Sequence, residues 1–419
     1  MTLFRNARLL DPASGHDGHG ALRTRGREII EIADELSPEA GESVIDLDGK
    51  ALAPALIDLR VNASPSSAGA GGLTAAARAA AAGGVGTLVL APEGDGAFKP
   101  EHFAALEAAS MQTAVKLLTA GRLVSDEDEL AEAGLMLRAG AVMLADGGRS
   151  ISDARLARRA LAYAATFDAW TSLRAEEAHL AADTCAHESD LAMRLGLPAR
   201  PAAGERMAIE RAAALAELTG AQILFDRVTT AAGLAALRQA RERGLEILAS
   251  TAITHLLFNE VDAGGFDARY RLEPPLRAEA DRLALIEAVA LGDIDIVVSD
   301  HVARTGEAKA HPFPEAAPGS ANLEALLPAL CSLAAEGRIT LIDALRAVTS
   351  APAQMLDLDQ GRLEPGAPAD LVAFDPDAPV VYGRAGLACE ASSAFQGRRL
   401  TGRVLITMIN GAMIHQPAG

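Results

Sequence analysis

The sequence predicts an α/β protein: a (β/α)8 TIM-type barrel with a small composite β-domain formed from both termini. Three observations predict this architecture. A short apolar strand followed by a helix-forming stretch recurs eight times between residues 55 and 350, the strand interiors are almost continuously apolar, and both ends of the chain alternate apolar and polar residues instead. Eight such units in about 300 residues match the usual size of a barrel of this kind.

The repeated unit justifies the barrel. Strands that helices cover on both faces have near-continuous apolar runs, which indicates a parallel sheet. Gly140, Gly220, Gly244 and Gly292 each lie between a helical stretch and a strand, where a left-handed residue lets the chain reverse. The predicted strands are 55–62, 85–91, 114–120, 141–146, 169–175, 222–228, 245–251 and 294–300.

The alternating ends justify the second domain. Alternation of this type is typical of antiparallel strands with one exposed face. Neither end alone has enough strands for a stable sheet, so we expect 1–53 and 356–419 to form one β-sandwich-like domain beside a barrel at 54–355. The alternating segments are 2–9, 21–33, 43–47, 369–374 and 403–414.

An open, doubly wound sheet is the alternative for the middle of the chain. That fold usually carries a Gly-rich dinucleotide loop after its first strand, and residues 63–72 do not contain the GxGxxG pattern. The barrel is therefore the preferred interpretation.

Composition excludes several classes of function. Of 419 residues, 50% are hydrophobic and 22% charged, which is enough to bury a large core. Aromatic residues are only 3% and the net charge is −18, so the sequence predicts no nucleic-acid binding. Cys185, Cys331 and Cys389 form no CxxC pair, the first residues carry charges, and no long apolar run occurs. We expect a soluble, cytoplasmic protein that does not bind a membrane.

Polar residues at the strand ends are the candidates for chemistry. In a barrel the carboxyl ends of the strands carry the reactive groups. The first strand ends with Asp58, Arg60 and Asn62, and the fourth with Asp146. The later strands end with Arg174, Asp226, Arg227, Asp300 and His301.

Together with these strand ends, several motifs resemble the type I dihydroorotases of the amidohydrolase superfamily over nearly the whole chain. The order of the PPLR segment at 274–277 and the ADL segment at 369–371 makes the resemblance specific. It implies the barrel and the composite domain, and it points to the non-catalytic members in particular. The other matching segments are 54–59, 281–287, 299–301, 318–319, 352–353 and 361–363.

The resemblance implies a divalent metal, expected to be zinc, that activates water and polarises a ring carbonyl. Of the implied ligands only Asp300 is retained, and Gly147 falls at the strand-four position. A guanidinium group is always protonated and offers no lone pair, so we expect neither a metal nor any other cofactor, and no catalytic residue. The histidine positions are taken by Arg60, Asn62, Arg174 and Arg227.

The substrate positions that the resemblance implies also differ. A carboxylate-binding arginine corresponds to Ser64, and two asparagines correspond to Glu93 and Glu273. A substrate with carboxylate groups would lose a bidentate partner and meet two added anions. Substrate binding is therefore expected to be lost together with catalysis.

Simpler roles compete for the remaining residues. Asp300, followed by His301, is more economically an ion-pair partner than a catalytic group, and His255 a hydrogen-bonded loop residue. Four arginines are expected at the barrel mouth, where they either neutralise Asp58, Asp146, Asp226 and Asp300 or leave an electropositive pocket for an anion. These arginines are Arg60, Arg174, Arg227 and Arg304.

The expected function is a catalytically inactive dihydroorotase-like protein of pyrimidine biosynthesis. The resemblance implies a structural partnership with aspartate transcarbamoylase in a homo- or hetero-oligomer. One alternative is an active metal-dependent amidohydrolase with an atypical ligand set, which would need about three protein ligands near Asp300. The other is an anion sensor that uses the arginine-lined pocket.

Overall fold

The computed structural model describes residues 1–63, 72–93, 99–383 and 391–416. Within these ranges one large sheet is built from the middle of the chain and another from its two ends. None of the helices described is both long and apolar enough to cross a lipid bilayer. Cys185 and Cys331 are buried free thiols.

The strands are β1 (Thr2–Asp11), β2 (His16–Arg25), β3 (Glu28–Ala33), β4 (Ser43–Asp46), β5 (Ala51–Pro54), β6 (Leu56–Asn62), β7 (Val85–Leu90), β8 (Lys116–Arg122), β9 (Ala141–Ala145), β10 (Thr171–Arg174), β11 (Ala186–His187), β12 (Ala199–Arg200), β13 (Ile223–Asp226), β14 (Ile247–Ala252), β15 (Ile296–Val298), β16 (His301–Val302), β17 (Leu371–Val381), β18 (Arg399–Ile409) and β19 (Ala412–His415).

The helices are α1 (Leu73–Ala82), α2 (His102–Ser110), α3 (Ala133–Arg138), α4 (Ala154–Ala165), α5 (Ala178–Ala181), α6 (Asp190–Leu195), α7 (Ala203–Thr219), α8 (Ala231–Glu242), α9 (Ile253–Leu257), α10 (Glu260–Ala263), α11 (Glu279–Leu291), α12 (Gly306–Lys309), α13 (Leu326–Ala335), α14 (Leu341–Arg346) and α15 (Ser350–Met355). Short 3-10 turns occupy Ala268–Tyr270 and Leu323–Ala325.

The parallel sheet contains all eight strands predicted for the barrel. They lie side by side in the order β6, β7, β8, β9, β10, β13, β14 and β15, and neighbours run parallel. After β15 the chain passes through Ser299 and Asp300 into β16, which pairs with β6. The sheet therefore curls until its two ends are joined by one short stretch of chain, and the carboxyl ends of its strands face a common mouth.

Hydrophobic burial on both faces explains the apolar strands. Inward-facing Ile57, Val89 and Val298 share one buried cluster, whereas Leu88 and Phe225 pack with the surrounding helices in another. The four glycines predicted to reverse the chain all have positive φ, between 70° and 105°. These are Gly140, Gly220, Gly244 and Gly292.

Strands from both ends of the chain form one sheet, in the order β19, β18, β17, β5, β1, β2 and β3, with β4 also pairing with β1. The expectation of antiparallel strands is wrong for 43–47, because β4 runs parallel to β1. β5, which was not predicted as a strand, runs parallel to β1 and antiparallel to β17. Since β2 already occupies one edge of β1, the chain crosses to the other edge after β3, and a crossover connection produces parallel neighbours.

This terminal sheet packs against the parallel sheet. One set of its side chains, including Phe4, Leu22 and Met408, forms a cluster of its own, while Val372 and Val404 belong to the cluster around the barrel helices. The approach is close at Gly84, where a Cβ atom would lie 2.7 Å from Val372 Cγ2. The division into domains at 53/54 and 355/356 remains a prediction.

Candidate functional site

The site residues predicted from the strand ends meet at the mouth of the parallel sheet. Arg60 lies near the end of β6, Arg174 ends β10, and Arg227 directly follows β13. Their side chains are only 11%, 11% and 2% exposed, respectively. Three guanidinium groups are thus held inside the protein, where each needs a negative partner.

Five residues form what we call the inner cluster: Arg60, Glu93, Asp226, Arg227 and Asp300. Asp300 Oδ1 accepts from Arg60 Nε at 3.0 Å and from Arg227 Nη1 at 3.1 Å. Asp226 Oδ2 lies 3.3 Å from Arg60 Nη1 and accepts from Arg227 Nε at 3.0 Å. Arg60 also donates to Glu93, so both arginines are shared among several carboxylates.

Backbone geometry helps to place this cluster. Arg227 and Asp300 both have left-handed φ values, 57° and 49°. Non-glycine residues take that conformation rarely and at a cost of about 1–3 kcal/mol each, unless the surroundings hold them there. Asn62 Nδ2 donates to Glu93 Oε2 at 3.1 Å and so orients the Glu93 carboxylate.

A second group, the outer cluster, comprises Arg174, Glu176, Arg200, Arg271 and Glu273. Arg200 donates to both oxygens of Glu273, at 2.6 and 3.0 Å, and also to Glu176. Arg174 Nη2 donates to Glu273 Oε1 at 3.1 Å, and Arg271 Nη1 lies 3.6 Å from Glu273 Oε2. The two clusters touch where Arg227 Nη1 donates to the carbonyl oxygen of Glu273 at 2.7 Å.

The arginines keep both added glutamates ionised. Burial by itself would raise the pKa of Glu93, but the charges of Arg60 and Arg227 outweigh it and lower that pKa to about 2. The pKa of Glu273 is also about 2, because Arg200 and Arg174 overcome the effect of burial. The residues that were expected to repel a substrate are therefore the counter-ions of the arginines.

Asp58 and Asp146 were expected to pair with guanidinium groups, and the structure corrects this. Asp58 accepts hydrogen bonds from the backbone and hydroxyl of Ser299 and from the Arg60 backbone. Asp146 accepts from the backbone N–H groups of Arg174, at 2.7 Å, and Gly148, at 3.1 Å. Burial raises the pKa of Asp58 to about 7 and that of Asp146 to about 6.

The two histidines near the mouth are tied to backbone atoms. His255 lies on α9, not in a loop as expected, and its Nε2 is 3.3 Å from Pro275 O. His301 Nδ1 accepts from the backbone N–H groups of Asn322 and Leu323, at 3.2 and 3.4 Å. Burial lowers the pKa of each histidine to about 4.

Arg304 was expected at the mouth with the other arginines, but it joins neither cluster: its Nε donates to Pro318 O at 2.8 Å, and no ion pair is found for it within the described residues. Arg200 and Arg271 take part instead. Arg200 ends β12, which lies in an insertion after β10, so its position in the sequence did not place it at a strand end of the parallel sheet. Arg271 could have been suspected, because it closely precedes the PPLR segment. Gly147 follows β9 with φ 76°, and Ser64 lies outside the described residues.

The donor set does not fit a zinc centre. Zinc needs about three deprotonated or neutral ligands with free lone pairs, but three of the four implied histidine positions carry guanidinium groups, and Asn62 donates to Glu93. Asp300, the retained ligand, already accepts from two of these groups. Among the described residues, no group of three or more His, Cys, Asp or Glu side chains could hold a metal ion.

Little space is left at the centre of the mouth. The cavity there, bordered by Arg60, Glu93, Asp146 and Asp226, has a volume of about 10 Å³. That is about the smallest volume in which one water molecule fits. This cavity, as the described residues form it, is too small for a ring-shaped substrate.

The curled parallel sheet is the fold that the resemblance to the amidohydrolase superfamily implies. The family model described as "Amidohydrolase family" matches residues 52–414, and the chain belongs to this family. The predicted superfamily is therefore confirmed.

Curated relatives match almost from end to end. The "Dihydroorotase-like protein" of Pseudomonas aeruginosa is 33% identical over 422 residues, which is 99% of this chain and 100% of the relative. A protein of the same description from Pseudomonas putida is 33% identical and covers 98% of both chains. The dihydroorotase of Anaeromyxobacter dehalogenans is 32% identical over 99% of this chain and 98% of its own length.

Solved structures show the same architecture. The L-hydantoinase (dihydropyrimidinase) from Arthrobacter aurescens superposes with a TM-score of 0.89 at 21% identity, covering 100% of this chain and 96% of its own. The dihydropyrimidinase from Brevibacillus agri gives a TM-score of 0.84 at 20% identity, with 99% and 95% covered. At this level of identity the likeness establishes the fold alone.

Proposed function

We propose that this chain is a dihydroorotase-like protein of pyrimidine biosynthesis that is catalytically inactive and acts as a structural partner of aspartate transcarbamoylase. The observation that carries the first half of the proposal is the inner cluster. Arg60 and Arg227 occupy the place where a metal and its water would be needed, and they bind the one retained ligand, Asp300.

The changes at the mouth compensate one another, which supports replacement of the site as a unit. Each arginine at an implied ligand position has a carboxylate partner, and two of those partners, Glu93 and Glu273, stand where the resemblance implies asparagine. A single buried arginine without its partner would cost several kcal/mol, roughly 3–5. The new charges are thus balanced within the site.

The alternative of an active hydrolase has less support. It needs about three ligands around one metal. Besides Asp300, its candidates are His255 and His301, and among the described residues no group of three or more such side chains could hold a metal ion. The electropositive pocket expected from four arginines also has less support. Arg60, Arg174 and Arg227 are each paired with carboxylates, and Arg304 donates to Pro318 O.

A structural role explains why the rest of the fold is intact. All eight strands keep buried apolar interiors, and the sheet from both ends packs closely on the barrel helices. The resemblance to type I dihydroorotases implies aspartate transcarbamoylase as the partner, and relatives called "Dihydroorotase-like protein" match over their full length. We expect the assembly to be a hetero-oligomer located in the cytoplasm.

The first test is catalytic. Purified protein should neither hydrolyse dihydroorotate nor cyclise N-carbamoyl-aspartate above background, with or without added zinc, because water activation by a metal is absent. The dihydroorotase of Anaeromyxobacter dehalogenans, assayed alongside, is the positive control. Turnover that zinc stimulates and Asp300→Asn abolishes would contradict the proposal.

The second test concerns the partner. Co-expression with the aspartate transcarbamoylase of the same organism should give a complex that co-elutes in size-exclusion chromatography, and the transcarbamoylase should be less stable or less active when this chain is omitted. Separate elution at micromolar concentration, with a transcarbamoylase indifferent to the omission, would remove the scaffolding role.

A further inference from the structure

A large polar cavity opens beside the outer cluster. Its volume is about 660 Å³, within the range of roughly 300–1,000 Å³ that is typical of small-molecule sites. The loops after β9, β10 and β14 and the β12 strand contribute its wall. The residues used below are Arg174, Glu176, Asp183, Arg200, Arg271 and Glu273. Arg60, Arg227 and Asp300 do not line it, so it is separate from the filled centre.

The charges that line this cavity do not cancel. Four arginines and three acids line it, and Glu273 is shared by three of the arginines: the lining charges are Arg149, Arg174, Arg200, Arg271, Glu176, Asp183 and Glu273. Arg200 is bound at short distance to both acids, whereas the closest carboxylate oxygen to Arg271 is 3.6 Å away. Arg271 is therefore the cation with the weakest compensation.

Two arginine side chains also have a hydrogen-bond donor without an acceptor. Arg174 Nε and Arg271 Nε are buried and have no hydrogen-bond partner among the described residues. A buried donor without an acceptor is unfavourable, by about 1–3 kcal/mol. Arg271 Nη1 and Nη2 donate to backbone carbonyl oxygens, those of Leu272 at 3.0 Å and Thr184 at 3.4 Å, so the charge of Arg271 has no carboxylate within hydrogen-bond distance among the described residues. It lies next to a space that is large enough for a ligand.

We propose that this cavity binds a small molecule through a carboxylate or phosphate group, with Arg271 and Arg174 as the main contacts. Guanidinium groups suit both kinds of oxyanion because their planar fork donates two parallel hydrogen bonds. Exposed Asp183, on the rim, is the one lining acid outside the paired clusters, and it opposes an incoming anion. This site does not depend on the proposed loss of catalysis.

Isothermal titration calorimetry with inorganic phosphate and, separately, with succinate tests the site, using sodium chloride at matched ionic strength as the reference. Saturable heat with either anion, absent with chloride, supports the proposal, and the tighter anion identifies the preferred group. No saturable heat with either at about 10 mM overturns it, since that excludes even millimolar affinity.

Variants assign the binding to this cavity. Arg271→Gln should weaken binding at least about tenfold, because the charge and the fork are both lost. Arg304→Gln is the matched control: Arg304 is an arginine near the mouth that does not line the cavity, and its loss should leave affinity unchanged. Equal affinities of the two variants would place the anion elsewhere and refute the proposal.

A third variant keeps the test decisive if Arg271→Gln does not fold. Asp183 is exposed and has φ 55°, a conformation that asparagine tolerates well, so Asp183→Asn should fold normally. Removing its charge should tighten anion binding by a few fold. Unchanged or weaker binding in Asp183→Asn would contradict an oxyanion in this cavity.

Discussion

The inner and outer clusters use the same two kinds of side chain with opposite results. In the inner cluster Arg60 and Arg227 are enclosed by Glu93, Asp226 and Asp300, and the cavity beside them is about 10 Å³. The outer cluster borders a cavity of about 660 Å³ and has more arginines than carboxylates. Two arginines among three carboxylates leave little space beside the inner cluster, while three arginines with two carboxylates border open space in the outer cluster.

The two clusters should also differ in how much stability the protein loses when one of their charges is removed. Buried ion pairs offset their desolvation only when the geometry is good and the hydrogen bonds are complete. The ion pairs that Arg60 and Arg227 form with Asp226 and Asp300 lie at 3.0–3.3 Å, and these side chains are at most 11% exposed. The Glu273 side chain is 24% exposed, so water can replace a lost partner there. Removing a charge should therefore cost more in the inner cluster.

The largest effect is expected for Asp300→Asn. Asparagine keeps the shape and tolerates φ 49°, but it removes the charge from two buried hydrogen bonds, with Arg60 and Arg227, so the free energy of unfolding should fall by about 3 kcal/mol. Glu273→Gln, the matched change in the outer cluster, should cost about 1–2 kcal/mol. Urea denaturation of both variants checks this. Equal or reversed losses would abolish the distinction between the clusters.

A smaller, pH-dependent effect is expected at Asp58, directly beneath the inner cluster. Its folded pKa is raised from 3.8 to about 7, so the stability linked to its bound proton is present below pH 3.8 and is lost as the pH rises towards 7. Asp58→Asn cannot ionise, and its amide can keep the hydrogen bonds with Ser299 and Arg60.

The unfolding free energy of Asp58→Asn, relative to the natural protein, should therefore rise between about pH 4 and pH 7. Glu93 and Glu273, whose pKa values are about 2, remain ionised in both proteins and cancel in the difference. A flat difference across this range would show that Asp58 does not keep its proton near neutrality.

Much of the architecture was predictable because it follows from local patterns. Apolar runs and helix-ending glycines located the eight parallel strands, and the order of the strand ends placed Arg60, Arg174, Arg227 and Asp300 at one mouth. The parallel pairing of β4 and β5 with β1 was missed, since alternation specifies a strand's exposed face and not the direction of its neighbour.

The pairing inside the site was less accessible to sequence analysis. The sequence around Glu93 and Glu273 does not show whether each glutamate pairs with an arginine or repels a substrate. Their distances to Arg60 and Arg200 in the structure show that they are counter-ions. Arg304 follows the eighth strand closely but pairs with neither cluster, whereas Arg200 reaches the outer cluster from the inserted β12. Long side chains make such placements depend on tertiary structure.

The metal content of the purified natural protein tests the central claim most directly. After purification without chelator and dialysis against micromolar zinc, elemental analysis should find far less than one zinc per chain, because guanidinium groups fill the ligand positions and Asp300 is bound to two of them. The dihydroorotase of Anaeromyxobacter dehalogenans, treated in the same way, is the reference. Near-stoichiometric zinc that survives dialysis, and that Asp300→Asn removes, would contradict the account.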